Sequence, residues 1–164
     1  MKETILITGV AGLLGSRLAD WITENKPEYQ IIGIDDLSGG YKENVPAGVE
    51  FWELDLNDLD SLHEPFTGVD MVVHTACTAY EGLSVFSPAL VVRNTSQIIT
   101  TVMSASIKAG VKKIVHMSSM ARYGTQEVVP FTEDLLPKPQ DPYGIAKYAG
   151  EMLIKNLADT HGMK

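Results

Sequence analysis

The 164-residue chain has little cysteine, little positive charge and no long apolar run. Its one cysteine, Cys77, cannot close an internal disulfide and nothing else points to secretion, so a cytoplasmic setting is the expectation. Lys and Arg number 13 against 21 Asp and Glu, a formal net charge of −8. A surface that neutralises many phosphates needs clustered Lys and Arg. The longest basic cluster is Lys112-Lys113, so nucleic acid is not an expected partner. The opening apolar run, Ile5-Leu6-Ile7, is three residues long. No run nears the ~18 residues of a membrane span, and the N-terminus lacks a basic-then-apolar signal layout, so no membrane association is expected. Internal repeats, low-complexity tracts and linker-like stretches are missing too. What is present is an ordinary globular composition, 45% hydrophobic and 21% charged, at a length that suits one domain over residues 1–164.

Short apolar segments alternate with helical patterns along this domain. Thr4 to Ile7 reads as a strand buried on both faces, ended by Thr8-Gly9. Leu13, Leu14, Leu18 and Ile22 recur at helical spacing, with Pro27 beyond the helix end. Gln30–Ile34, Val49–Leu54, Val69–His74 and Lys113–Met117 read as further strands, and a helix is expected to start near Asp58. A longer helix is expected from Ser87-Pro88 to Lys108, stopped by Gly110. Arg122 to Gln140 holds three prolines and reads as an active-site-type loop. Asp141 then caps a last helix, with Pro142 in its first turn, that runs to about Thr160 before Gly162. This alternation implies an α/β fold: a Rossmann-like, doubly wound parallel sheet in three α/β/α layers. Ligands of such sheets sit at the carboxyl ends of the strands, where all the residues singled out next fall, or on the following helix.

Between the first strand and first helix stands Gly9-x-x-Gly12-x-x-Gly15. Glycines there permit a tight turn and close approach of backbone to a pyrophosphate, whose charge is stabilised at the helix N-terminus. A lone glycine triplet is as often a plain turn. Here Asp35 also ends the second strand, 20 residues after Gly15, where a carboxylate accepts both hydroxyls of an adenosine ribose and repels a 2′-phosphate. Dinucleotide binding is therefore expected, with NAD favoured over NADP. Asp55-Leu56 follows the third strand, where a carboxylate reaches an adenine amino group; alone, it reads equally as a turn aspartate.

Tyr143 and Lys147, four apart, leave one face of the last helix, and an adjacent ammonium lowers a phenol's pKa toward neutrality. Chance alone supplies about 0.4 such pairs in this composition, so the pair takes its weight from its neighbours. Ser119 ends the fifth strand, where a hydroxyl relays a proton to Tyr143 or caps local backbone. His63, His74, His116 and His161 show no ligand spacing, so no metal site is expected; His74 and His116 read as satisfied core or strand-end imidazoles. Cys77 has no basic neighbour in sequence and reads as a packed thiol, and Arg17 and Arg122 as solvated side chains.

With these residues in hand, the chain resembles the extended short-chain dehydrogenase/reductase family, most of all its nucleotide-sugar 4-epimerases. The resemblance is carried by Thr8-Gly9…Gly12…Gly15, Asp35-Asp36-Leu37-Ser38-Gly39-Gly40, Asp55-Leu56, His74-Thr75-Ala76, Asn94, Ser118-Ser119…Tyr123-Gly124 and Pro142-Tyr143-Gly144-Ile145-Ala146-Lys147. It implies that Gly9, Gly12, Leu13, Leu14, Gly15, Asp35 and Asp36 hold NAD, that Asp55 and Leu56 flank the adenine, and that Ala76, Asn94 and Ser118 line the cofactor cleft. It further implies that Ser119, Tyr143 and Lys147 are catalytic, with Tyr143 and Lys147 also reaching the cofactor. Tyr143 then takes the proton of the sugar 4-hydroxyl of a UDP-sugar while hydride passes to NAD and returns on the other face. Met120-Ala121 can neither donate nor accept a proton, which sets aside the family's dehydration and decarboxylation chemistries. A ketoreductase of the same family and a non-catalytic dinucleotide-binding module are the alternatives.

Three departures from the family pattern stand out. His74-Thr75-Ala76-Cys77 replaces His-Leu-Ala-Ala, Ile98 replaces a glycine, and family members run to roughly twice this length. The chain is therefore expected to stop before a sixth strand and a C-terminal substrate domain, leaving the fifth strand an open edge. Weak or absent activity is expected with it, because remote substrate binding energy is lost. Homodimerisation or further self-association is the remaining expectation, through helices 88–108 and 142–160.

Overall fold

The computed structural model describes residues 2–164. Five strands, β1 (Glu3–Thr8), β2 (Tyr29–Asp35), β3 (Val49–Glu53), β4 (Met71–His74) and β5 (Lys113–His116), form one sheet in the order β3-β2-β1-β4-β5. Every pairing is parallel. Helix α1 (Leu13–Asn25) follows β1, and α4 (Ile98–Ala109) and α5 (Pro142–His161) flank β5 in sequence.

Alternation along each strand decides which layer a side chain joins. Ile5 and Ile7 of β1, with Ile31 and Val73, pack against Ala19 and Ile22 of α1. Leu6, with Ile32, Ile34 and Val72, packs on the other face against Ile98, Val102 and Met103 of α4 and Ala158 of α5. Each fully buried side chain of this size contributes roughly 1.5–3 kcal/mol relative to exposure. Both faces of the sheet are thus covered, and the three-layer doubly wound architecture follows.

Local chemistry ends the helices where it should. The Asp141 side chain accepts the Gly144 N–H at 2.9 Å, and Pro142 takes the first turn of α5. Gly110 and Gly162 close α4 and α5 in the left-handed conformation, at φ 74° and 66°.

Three expectations are corrected. No helix starts near Asp58: residues 55–68 make successive turns, such as Leu62 N–H to Leu59 O and Thr67 N–H to Glu64 O. Pro65 lacks an N–H and disfavours helix before it, while fully buried Leu62 and Phe66 pin the turns to the core. The long helix is not continuous. It begins at Pro88 as α3 (Pro88–Val92), passes through a wide π-type turn at Arg93–Gln97, where Asn94 is non-helical (φ −83°, ψ 15°), and resumes as α4. A short helix, α2 (Glu81–Phe86), precedes it. Finally, β5 is not wholly open. Lys164 N–H bonds Lys112 O at 3.0 Å and Ile114 N–H bonds Lys164 O at 2.9 Å, a parallel register on the outer edge of β5.

Candidate functional site

The carboxyl ends of β1, β2 and β4 open onto a cleft of about 490 Å³, in the size range of small-molecule pockets. Gly9 begins its floor. It has φ 72°, and a Cβ there meets the Ala76 backbone at 2.8 Å, so both conformation and space demand glycine. Gly9 N–H bonds Ile34 O at 2.7 Å and Gly12 N–H bonds Gly9 O at 3.1 Å, which folds the turn back on the sheet. Gly12 lines the cleft as the N-cap of α1. Gly15 does not line it: a Cβ at Gly15 lies 2.2 Å from Gly9 O, so this glycine lets the helix close on the turn. Leu13 and Leu14, expected to hold NAD, are not among the cleft's lining side chains and stand 82% and 53% exposed on the first turn of α1.

Asp35 ends β2 buried in the wall. Its Oδ2 accepts the Ala11 N–H at 3.0 Å and its Oδ1 the Leu37 N–H at 2.9 Å. Burial pushes its carboxyl up, the two backbone N–H groups oppose this, and the Asp36 charge adds to the rise. Leu37 takes a left-handed φ of 59°, costly for a side-chain-bearing residue, and so turns Ser38–Gly40 over the glycine turn. Asp36 lies beside it in the same cleft.

Asp55 and Leu56 line the far end. Asp55 accepts the Asn57 N–H at 2.9 Å and pairs with Arg93 at 2.8 Å. Burial alone raises its pKa, but Asn57 and Arg93 together hold the carboxyl below the usual carboxylate range. The Asn57 amide continues to Asn94 Oδ1 at 3.4 Å, and Asn94 donates to Thr78 Oγ1 at 3.2 Å. Ala76 completes this wall.

Ser119 and Tyr143 line an adjoining hollow that shares Ala79, Tyr80 and Leu83 with the cleft. The Ser119 hydroxyl accepts the Ala121 N–H at 3.1 Å and lines the same hollow as the Tyr143 phenol, whose ionised form it favours. Gly144 lets α5 approach this turn, since a Cβ there lies 2.7 Å from Ala121 O. Lys147 is 2% exposed, and its ammonium donates to Met117 O. Burial draws the Lys147 pKa down, while Cys77 and Glu151 pull it back up.

The expected lowering of Tyr143 by Lys147 is not what the geometry yields. Burial is the largest influence on the phenol and, with the charge and hydrogen bond of Cys77 and the charge of Glu81, pushes its pKa up to about 12; only the Ser119 hydrogen bond favours the ionised form. Absorbance titration near 295 nm is expected to show one tyrosine midpoint near 12. Tyr143→Phe removes that step, and Ser119→Ala moves it higher; a Tyr143 midpoint below 10 contradicts the burial account.

Sequence reasoning passed over Thr78 and Tyr80 and read Cys77 as a packed thiol; all three stand on the cleft wall after β4. Cys77 lies near enough to Tyr143 and Lys147 to influence both, so the thiol has a basic neighbour that only the fold supplies. Their position just past a strand end was the available signal. Ser118 is exposed and points to Glu151 rather than into the cleft. Arg122 is held by Glu151 at 3.1 Å and is not a solvated side chain. His74 Nδ1 meets Thr8 Oγ1 at 2.6 Å, but His74 Nε2 and both His116 nitrogens are shielded without partners, so these imidazoles are only partly satisfied. Among the described residues, no group of three or more His, Cys, Asp or Glu side chains converges as a metal site. No helix among the described residues is long and apolar enough to cross a membrane.

Comparison with known proteins extends this picture. UDP-glucose 4-epimerase of Streptomyces lividans is 34% identical over 166 residues, covering 99% of this chain and 50% of that protein. The structure of UDP-glucose 4-epimerase from Thermotoga maritima with UDP-glucose superposes with a TM-score of 0.93 at 35% identity, over 98% of this chain and 53% of that one. The Brucella ovis UDP-glucose 4-epimerase in complex with NAD gives a TM-score of 0.93 at 29% identity, over 99% and 50%. The chain thus spans about half the length of the relatives it matches. The family described as NAD dependent epimerase/dehydratase is matched from residue 5 through residue 164, strand order and cleft included, and the chain belongs to that family.

Proposed function

We propose that the chain carries the cofactor cleft and the proton-transfer residues of an NAD-dependent nucleotide-sugar 4-epimerase, an isomerase acting on a UDP-sugar. One observation carries this reading: Ser119 and Tyr143 open beside the glycine-turn cleft and share walls with it, so a group bound in one reaches the other.

The residues fit a dinucleotide. Gly9 and Gly12 offer bare backbone at the start of α1, where a side chain would fill the approach, and the helix N-terminus favours a pyrophosphate. Each Asp35 oxygen accepts one backbone N–H and retains acceptor capacity for ribose hydroxyls, while its charge opposes a 2′-phosphate. Asp36, Asp55, Leu56, Ala76 and Asn94 line the remaining length. Held by these residues, NAD would supply reversible hydride acceptance at the sugar C4, with no net oxidation. The chain's own part is to hold and move the proton. Ser119 orients the Tyr143 hydroxyl, Tyr143 exchanges a proton with the sugar 4-hydroxyl, and Lys147 holds a buried positive charge under the mouth. Met120 and Ala121 bring no acid or base to the site, which supports epimerisation over dehydration.

The same reading includes a homodimer in a cytoplasmic setting. Val85, Phe86, Leu90, Ile145 and Met152 stand exposed on α2, α3 and α5, elements that pack on one another, and Cys77 is a free thiol. Thermal melts with NAD, NADP and UDP added separately test the cofactor reading. NAD at 100 times its dissociation constant stabilises by about 2.7 kcal/mol. At this size that raises the midpoint by roughly 5–10 °C. No shift with NAD, or a larger one with NADP, overturns it.

A further inference from the structure

Three side chains at successive i+4 positions on α5, Tyr143, Lys147 and Glu151, project from one face of the helix toward the end of β5. Each faces a different residue of the same short segment. Lys147 donates to the Met117 carbonyl, Glu151 Oε1 accepts the Ser118 hydroxyl, and Tyr143 shares the wall of one hollow with Ser119. Glu151 alone among them has a second hold: its Oε2 pairs with Arg122 at 3.1 Å. That pair is shielded, with the two side chains 22% and 23% exposed. Arg122 is itself confined, its guanidinium 4.8 Å from the Tyr123 ring and 5.7 Å from the Tyr148 ring, and its backbone O accepts the Lys138 N–H at 3.0 Å.

We infer that Glu151 is a positioning residue: by bridging Ser118 and Arg122 it locks the segment that carries Ser119 to the helix that carries Tyr143 and Lys147. The function of the lock rests on the proposed reading of those three residues. A carboxylate suits the place because two donors on one side, a hydroxyl and a guanidinium, call for two acceptor oxygens and one negative charge. An amide at this position satisfies only one of the two donors with its oxygen. The charge also reaches Lys147 one helical turn away, where, after Cys77, it opposes the lowering that burial imposes on the amine. A merely structural ion pair explains the Arg122 contact, yet leaves unexplained why the same carboxylate also takes the residue beside Ser119.

Glu151→Gln and Glu151→Asp, made in the full chain, test this with two readouts. The Lys147 amine is followed by NMR of its ε-carbon and assigned with Lys147→Met, and NAD affinity is measured by calorimetry. Glu151→Gln is expected to keep the circular dichroism of the parent, to move the Lys147 titration to lower pH, and to weaken NAD binding roughly tenfold. Glu151→Asp, which retains the charge, is expected to restore most of the Lys147 titration. A Gln variant that titrates and binds NAD like the parent overturns the inference and leaves Glu151 a surface-stabilising residue. If the parent binds no NAD, the cofactor reading falls instead. The Lys147 titration then still decides whether Glu151 sets that charge. Should the Gln variant lose its fold, the Asp variant carries the test: a folded Asp chain whose Lys147 titration lies far below the parent's counts against the inference.

Discussion

Gly15→Ala is expected to lower the stability of the chain by roughly 3–5 kcal/mol, in the range reserved for backbone overlap that cannot relax. The added Cβ sits 2.2 Å from Gly9 O, 2.8 Å from Gly9 C and 2.9 Å from Val10 Cα, all of them main-chain atoms. Relief therefore means pulling α1 off the turn, which also unpacks Ala19 and Ile22 from the sheet. With a urea m-value of about 2 kcal/mol/M, the denaturation midpoint drops by about 2 M. Gly12→Ala is the internal control. Its Cβ comes no closer than 3.3 Å to Gly9 O, so stability changes by less than about 1 kcal/mol. Because Gly12 lines the cleft, that variant is expected to lose cofactor affinity instead. Equal midpoints for the two variants contradict the division of labour drawn here.

Acid is expected to begin destabilising the chain before its carboxylates protonate. Burial, then the Lys147 charge, holds His116 down at about 4, and burial, then His116 and Lys147, holds His74 well below 6.5. Unfolding releases both rings to water, where they bind protons near pH 6.5. The unfolded state thus takes up protons first as pH falls from about 6.5 toward 4, so stability is full above this window and declines through it. His116 alone accounts for about 2 kcal/mol of loss between pH 7 and 5, and His74 acts in the same direction. Nothing compensates on protonation, since His74 Nε2 and both His116 nitrogens have no partner and the rings stack at 5.3 Å. His116→Leu removes one of these rings. Its urea midpoint is expected to change far less than the parent's between pH 7 and 5, and to match or exceed the parent's at pH 7. If parent and variant decline in parallel, the imidazole is not the source.

The elements legible in the sequence are those whose signal is local. The strand-turn-helix at Thr8–Gly15, the Asp141-Pro142 start and the Gly110 and Gly162 stops each rest on one residue's conformational or hydrogen-bonding habit, and each stands where it was expected. The parallel sheet follows from their alternation. The misreadings share a different origin. Residues 55–68 carry the apolar spacing of a helix, but Pro65 and the burial of Leu62 and Phe66 against distant strands decide otherwise. Cys77 gains its basic neighbour and Arg122 its carboxylate from α5, 70 and 29 residues along the chain for Lys147 and Glu151. No window of sequence contains those pairs. The electrostatics of Tyr143 were hidden for the same reason, since burial, not the nearby lysine, dominates them.

The wide turn at Arg93–Gln97 changes how much sequence drift the cleft wall can absorb. Where Asn94 leaves the helical conformation, its carbonyl accepts the Thr78 N–H at 3.3 Å. The wall after β4 is thereby fastened to the helix through main chain, a bond indifferent to which side chains occupy either position. Exchange of the side chains at 78 and 94 loses their own bonds to each other and to Asn57 but leaves this main-chain tie, and with it the width of the cleft, in place. Proline at 78, which has no N–H to give, is the one replacement this arrangement does not tolerate.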